Sequence, residues 1–369
     1  MAAQILSKMV LMVCLVLCLT GPVWGKSLQP FEASQFPSLI SSVRVDAPLD
    51  FCKEPVLLEH HDIRERLEKE LMLTLWDRPQ VVLWIKRSNR YMHHIEKMLQ
   101  QNHMPDDLKY VAIAESALRP HAGSRRGAIG FWQFMKGTGR KYGLIINDEI
   151  DQRRNIFAST MGAIRYFKEL YATFGSWTLA AAAYNMGEDG LESEILAQNT
   201  DQYYHLYLPL ETQRYVFRII SAKLILTDPQ KYGFRFKEED LYPPLKFDRV
   251  QIECPQKIPI LVVAEAAKTT FKIIKDLNPE IRGHYFSKGV HDILIPEGRK
   301  ADFHARYKTF LARWQDERER LVYVVKKGDS LYSIAEQFSI PLRVLAIWNH
   351  IRLDEHIHPG DELIIYPVR

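Results

Sequence analysis

Glu115 closes the stripe Leu108, Val111, Ala112, Glu115, spaced i, i+3, i+4, i+7, so the sequence sets a carboxyl on the apolar face of a predicted helix. Apolar neighbours and the negative end of a helix dipole both disfavour a carboxylate, which should raise its proton affinity and leave it protonated near neutral pH. The chemistry implied is that of a poised general acid; the competing reading is a helix-terminal Glu turned to solvent. The helix is expected to stop at Ala117-Leu118-Arg119-Pro120, because the residue before a proline is driven out of helical conformation. The next segment, Ser124-Arg125-Arg126-Gly127-Ala128-Ile129-Gly130-Phe131-Trp132-Gln133-Phe134-Met135, is a Gly-punctuated turn running into an aromatic stretch with one amide. Its rings are expected to form a sugar-binding wall, with Gln133 and nearby backbone fixing acetamido and hydroxyl groups.

Glu115-Ser116 followed by Ser124, Gly127, Gly130, Gln133, Met135 and Thr138, then Ala183-Tyr184-Asn185-Met186-Gly187-Glu188, resembles the catalytic domain of the soluble-type lytic transglycosylases. The resemblance covers about residues 101 to 226, and the order of segments and the tail are most like the membrane-bound lytic murein transglycosylase D group. Many members of that family carry Pro where this chain has Lys136 or Gly137, outside the presumed chemistry. The resemblance implies cleavage of the β-1,4 bond between N-acetylmuramic acid and N-acetylglucosamine in peptidoglycan without water. Glu115 would first protonate the glycosidic oxygen, and its carboxylate would then take the proton of the muramyl C6 hydroxyl as that oxygen closes onto C1. The 1,6-anhydromuramyl product makes the enzyme a lyase with no need of a second carboxylate, whereas most glycosidases use a flanking pair.

By the same resemblance, Ser124 lies near the muramyl lactyl or C6 region, Gln133 and Met135 line the cleft, and Tyr184 with Asn185 faces Glu115 from a later helix. Tyr184 is expected to bond the carboxyl or the sugar while its ring excludes water. Tyr215, in Glu211-Thr212-Gln213-Arg214-Tyr215-Val216, matches a family position near the cleft. Met135 and Tyr184 are also compatible with ordinary core positions. Asp148, Glu149, Asp151, Glu188 and Asp189 leave open a second acid opposite Glu115, so a hydrolase like the g-type lysozymes is the nearest alternative. A non-catalytic wall-binding protein and a chitin-active enzyme are the others.

The outer parts of the chain agree with work at a cell wall. Lys8, the apolar run Met9 to Leu19, Gly21-Pro22 and Val23-Trp24-Gly25 read as a secretory signal over residues 1–25. The run is too short for a comfortable bilayer span, and Val13 before Cys14 and Leu17 before Cys18 do not suit a lipid anchor. An exported protein of the periplasm or cell envelope is expected, without stable membrane insertion after processing. Of the four cysteines, Cys52 and Cys254 remain in the mature chain, and a disulfide between them is conceivable in an oxidising compartment. No cofactor or metal is expected: His60, His61, His93, His94 and His103 lack zinc-type spacing and read as solvated positions. The net charge of +4 favours an anionic polymer such as peptidoglycan, but no basic run tracks phosphates, which argues against nucleic acid.

With 369 residues, 47% of them hydrophobic, the chain is long enough for two to four domains. Helices over His61 to Leu75 and Val81 to Gln101 are expected within a region 26–100 that packs on the catalytic domain, 101–230. In that domain Asn155 to Tyr171 and Trp177 to Tyr184 have helical spacing, with a turn at Gly175-Ser176. The predicted fold is a mainly α, lysozyme-like lobe followed by small α+β modules of βααβ type. The modules show as a repeat: a shift of 71 residues sets Ala264-Glu265 on Ala335-Glu336, Asn278 on Asn349, Gly289 on Gly360, and Ile293 to Pro296 on Ile364 to Pro367. The second copy, 321–368, resembles the LysM module, which binds N-acetylglucosamine of peptidoglycan or chitin. Sugar would lie between the turn Gly328, Asp329, Ser330, Leu331 and the loop from Asn349 to Gly360. The first copy, 247–297, has Lys257-Ile258-Pro259-Ile260 in place of that turn and reads as a degenerate spacer, and 298–320 as a charged helical linker.

Overall fold

The computed structural model describes residues 37–319, 322–349 and 351–365, so the expected signal segment lies outside the described residues. A short helix α1 (Leu39–Val43) and a two-strand hairpin, β1 (Asp50–Phe51) with β2 (Glu54–Pro55), lead into α2 (His61–Trp76) and α3 (Arg78–Gln101). Asp77 caps α3 by accepting from the Gln80 N–H, and Val81, Trp84, Ile85, Met92, Ile95 and Leu99 form its buried stripe. The short α4 (Lys109–Ser116) carries Glu115 in its last turn. It stops because Ala117 and Leu118 both take left-handed conformations, at φ 53° and 56°.

The rest of the lobe comprises α5 (Lys136–Lys141), α6 (Ile156–Phe174), α7 (Trp177–Met186), α8 (Glu188–Gln198) and α9 (Leu210–Thr227). As the sequence predicts, Gly175 ends α6 at φ 67° and Ser176 caps α7. The β1–β2 hairpin reaches this capped end. The Glu54 carboxylate accepts from the N–H groups of Trp177 and Thr178 and from the hydroxyls of Ser176 and Thr178, which matches an anion to the positive end of α7. The helix α2 packs on α9, where Glu70 pairs with Arg214 and the Arg66 guanidinium stacks 4.8 Å from the Phe217 ring centre. His94 is not solvated as expected. It is half-buried, packs edge-on to Phe157, and its ring nitrogen donates to the Leu245 carbonyl at 3.1 Å.

The mainly α lobe is followed by two small α+β modules, as the sequence predicts. In the first, β3 (Asp248–Cys254) pairs antiparallel with β6 (Gly289–Ile295) around α10 (Ile260–Ala266) and α11 (Phe271–Leu277). Two further strands, β4 (Ile258–Pro259) and β5 (Tyr285–Phe286), pair with each other. The second module contains β7 (Val322–Val324), α13 (Leu331–Gln337), α14 (Leu342–Asn349) and β8 (Glu362–Ile364). Asn278 and Asn349 do the same work in the two copies. Asn278 bonds the carbonyls of Ile274 and Leu294 and the N–H of Leu294; Asn349 bonds the carbonyls of Leu345 and Ile364 and the N–H of Ile364. Leu294 therefore corresponds to Ile364, one residue off the gapless shift, because the second copy has a loop one residue shorter after its Asn.

Two expectations are corrected. The helix α12 (Phe303–Glu319) is more than a linker, since Phe303, Tyr307 and Trp314 are buried in the core of the first module. Their spacing, i, i+4, i+11, is an apolar helix stripe hidden among charges. The disulfide is not formed: Cys52 lies in the lobe core and Cys254 in the first module's core, both as free thiols. Burial pushes both thiols up from their ordinary range, which makes them poor nucleophiles. The first module also docks on the lobe. Asp151 N–H donates to the Glu280 carbonyl and Arg282 N–H to the Glu149 carbonyl, each at 2.8 Å. We expect a thiol reagent to leave Cys52 and Cys254 unmodified in the native protein and to modify both after unfolding; a mass change on reduction alone would contradict the assignment.

Candidate active site

The structure gathers four segments around Glu115. The Tyr215 hydroxyl, from the middle of α9, donates to Glu115 Oε1 at 2.5 Å. Next to Glu115, the Ser116 hydroxyl donates to the Phe131 carbonyl at 2.7 Å and fixes the Gly-punctuated segment to the end of α4. The Tyr184 hydroxyl donates to the Trp132 carbonyl at 2.7 Å, tying α7 to the same segment. Asn185 Oδ1 accepts from the Thr212 hydroxyl at 2.9 Å, which ties α7 to α9. Each is a bond between a side chain and a distant element, so the carboxyl is held by tertiary structure rather than by its own helix.

Burial is the main cause of the raised Glu115 proton affinity, and it outweighs the opposing effects of the Tyr215 hydroxyl and the Arg218 charge; Glu211 adds a smaller push upward. The result is a carboxyl lifted from 4.5 to about 7. The phenols of Tyr184 and Tyr215 are held well above their ordinary value by burial, so Tyr215 remains a donor.

The Gly-punctuated segment departs from its expected role. Phe131, Trp132 and Phe134 are not a sugar-facing wall: they are at most 2% exposed. Trp132 donates to the Thr160 hydroxyl at 2.9 Å, while Phe131 packs edge-on to Tyr91 and Phe134 to Tyr184. They hold the segment down, leaving Gln133 partly exposed and Met135 at 44% exposure. Met135 is thus not core. Gln133 sits at φ 47°, and its amide N–H groups donate to the Ala122 and Gly130 carbonyls, which commits the donor end of the amide to the segment's own backbone. Ser124 is exposed in the turn, where its Oγ accepts from the Ala128 N–H.

A buried strut supports this segment from behind. Arg153, bidentate to Asp151 at 2.8 Å, donates from Nη1 to the carbonyls of Gly127 and Phe134. Its backbone lies so close that a Cβ on Gly130 would sit 1.7 Å from the Arg153 oxygen. Asp151 is thereby committed. Of the other acids the sequence left open, Glu149 pairs with Lys257 at 3.2 Å, Asp148 with Arg282 at 3.8 Å and Glu188 with Lys141 at 3.8 Å. The carboxylate that does act on Glu115 is Glu211, which with Arg218 was missed by sequence reasoning. Their positions i−4 and i+3 from Tyr215 on α9 were the available signal.

The profile of the transglycosylase SLT domain matches residues 92–206, and that of the LysM domain matches residues 323–365. Residues 92–206 are thus similar to SLT domains and residues 323–365 to LysM domains. It is 31% identical over 295 residues to proteins named membrane-bound lytic murein transglycosylase D from Escherichia coli strains K12 and O6:H1, a match spanning 76% of this chain and 64% of each relative. It also matches the X-ray structure of an inactive mutant of the lytic transglycosylase Slt from Pseudomonas aeruginosa at 20% identity and a TM-score of 0.29, over 40% of this chain and 26% of that one. Glu115, Ser124, Gln133, Met135, Tyr184 and Asn185 fall inside the SLT match, while Tyr215, Glu211 and Arg218 lie past its end.

In the second module, Leu331 faces the core at 7% exposure and the Asn349 amide bonds the backbone of Leu345 and Ile364. Asp329 accepts from the Tyr323 hydroxyl and the Lys326 N–H, and Ser330 caps α13. These polar groups shape the turn, at whose exposed tip Gly328 takes φ 96°.

The raised affinity of Glu115 has a consequence independent of turnover. The folded protein holds this proton more tightly than the unfolded chain, so Glu115 costs stability as pH rises from 4.5 to about 7. At about 1.4 kcal/mol per unit, Glu115→Gln should gain about 3 kcal/mol relative to wild type between acid and alkaline pH. Denaturant unfolding of both proteins at about pH 4 and about pH 8 checks it; an equal difference at the two values would contradict a buried acid.

Proposed function

We propose that the protein is a peptidoglycan lytic transglycosylase, a lyase that cleaves the β-1,4 bond from N-acetylmuramic acid to N-acetylglucosamine and leaves 1,6-anhydromuramyl ends. The observation that carries the reading is a carboxyl, inside the SLT match, raised to about 7 and held by Tyr215 of α9. In the first step Glu115 gives its proton to the glycosidic oxygen as the bond to C1 breaks. The resulting carboxylate, stabilised by the Tyr215 hydroxyl, then takes the C6 hydroxyl proton as O6 bonds to C1. Gln133, Met135 and Ser124 contact the sugars from the Gly-punctuated segment, with Tyr184 and Asn185 holding that segment and α9 in register. The names of the relatives and the signal-like first 25 residues support an exported protein of the bacterial cell envelope. Neither a cofactor nor a nucleic acid is part of this reading.

A hydrolase with a second acid is the other reading, favoured by the charge of Glu211 acting on Glu115. Glu211 is paired with Arg218 at 3.1 Å, so its carboxylate is engaged on its own helix. Digestion of purified sacculi by the wild type and by Glu115→Gln, with mass spectrometry of the glycan ends, separates the readings. Anhydromuramyl ends from the wild type, with at least a thousandfold loss in the variant, are expected; reducing ends would mark a hydrolase.

In the same reading the second module binds N-acetylglucosamine and the first does not. The segments that flank the sugar groove of the second copy correspond in the first to β4 and β5, which hydrogen-bond to each other, and the Ile260 N–H extends the contact by donating to the His284 carbonyl. The groove is closed by the protein's own backbone. A weak module tethered to the cleft raises the local concentration of glycan there. Removal of residues 322–369 should therefore lower activity on sacculi at least tenfold more than on short soluble glycans; equal loss on both substrates would contradict the tethering role.

A further inference from the structure

A lytic transglycosylase asks one carboxyl to hold a proton at the start of turnover and a negative charge half-way through, and the inference here rests on that reading. The face of α9 turned to Glu115 carries Glu211, Tyr215 and Arg218 at i, i+4 and i+7. Tyr215 meets Glu115 Oε1 at 2.5 Å, and Arg218 Nη1 meets Glu211 Oε1 at 3.1 Å. The phenol is thus flanked by a guanidinium and a carboxylate that are bonded to each other, with the Arg218 side chain 26% exposed and Glu211 60%. Among the described residues, the groups acting on the Glu115 carboxyl are Tyr215, Arg218 and Glu211 from α9 and Tyr184 from α7. Arg218 is the cation of that set.

We propose that Arg218 is a positioning residue that steadies the Glu115 carboxylate formed by the first proton transfer, and that Glu211 limits this effect by holding the guanidinium. While Glu115 is protonated, the Arg218 charge is balanced by Glu211. Once Glu115 has given its proton to the leaving oxygen, the same guanidinium faces two carboxylates. It stabilises the new charge without exchanging a proton, so Glu115 remains the base that takes the C6 hydroxyl proton. Unclamped, Arg218 would deepen the ionised state and leave too little acid at neutral pH; without Arg218, the carboxylate would form less readily. The pair sets the balance between the two half-reactions.

The opposite signs of the two charges give the test. Full-length Arg218→Gln, Glu211→Gln and Arg218→Lys are each compared with the same variant carrying Glu115→Gln, and the difference in thermal midpoint is followed against pH. This reports the Glu115 titration with no turnover involved. Arg218→Gln should raise its midpoint by about half a unit to one unit, and Glu211→Gln should lower it by a similar amount, the exposure of both groups limiting the size. Arg218→Lys should return it to within about 0.3 unit of wild type. The alkaline limit of sacculus cleavage should move in the same two directions. Absence of a shift, or shifts of one sign in both Gln variants, would overturn the proposal. Reducing ends from the wild type, with cleavage abolished at every pH in Glu211→Gln, would instead make Glu211 the second acid of a hydrolase and overturn the proposal together with the reading beneath it.

Discussion

A phenol hydroxyl that meets a carboxyl across 100 residues of chain is the contact on which the site depends. Glu115 lies in the last turn of a helix of eight residues, too short to stand alone, near a helix terminus that disfavours negative charge. Only a second element pressed against it can bury the carboxyl and supply a donor. That element is α9, whose Tyr215 is 1% exposed and whose packing against α2 and α4 leaves Glu115 only partly exposed. Burial and the hydroxyl oppose each other in their effect on the proton, and burial prevails. The outcome is a carboxyl poised near neutrality, with a hydroxyl donor beside it.

The surrounding architecture serves to keep that contact in place. Glu54 caps the start of α7, whose far end supplies Tyr184 and Asn185, and those two side chains bond the Gly-punctuated segment and α9. Arg153 holds the segment from the other side, and the backbone beside it is paired with Glu280 and Arg282 of the first module. The first module, with β4 and β5 paired to each other, thus abuts the strut behind the Gly-punctuated segment. A chain that looks modular is, at this point, one packed body.

The sequence made the periodic parts legible. Glu115 on the stripe of Leu108, Val111 and Ala112 could be read directly, because each of those neighbours is fully buried at helical spacing. The Gly175-Ser176 boundary was readable for a similar local reason. The aromatic stretch misled, since Phe131, Trp132 and Phe134 serve as core while the flanking Gln133 and Met135 reach the surface, and a burial direction in a turn has no period to reveal it. Arg218 and Glu211 were unread because their partner lies on another helix. The one-residue slip between the module copies was hidden by matching residue types, and only the bonds of Asn278 and Asn349 expose it.

A carbon-13 titration of the Glu115 side-chain carboxyl, in protein labelled at glutamate and assigned through the resonance lost in Glu115→Gln, addresses the poised acid most directly. A midpoint near 7 is the value that follows from burial beside Tyr215. A midpoint near 4.5, the ordinary glutamate value, would mean that the carboxyl is solvated and that the acid in this cleft is some other group.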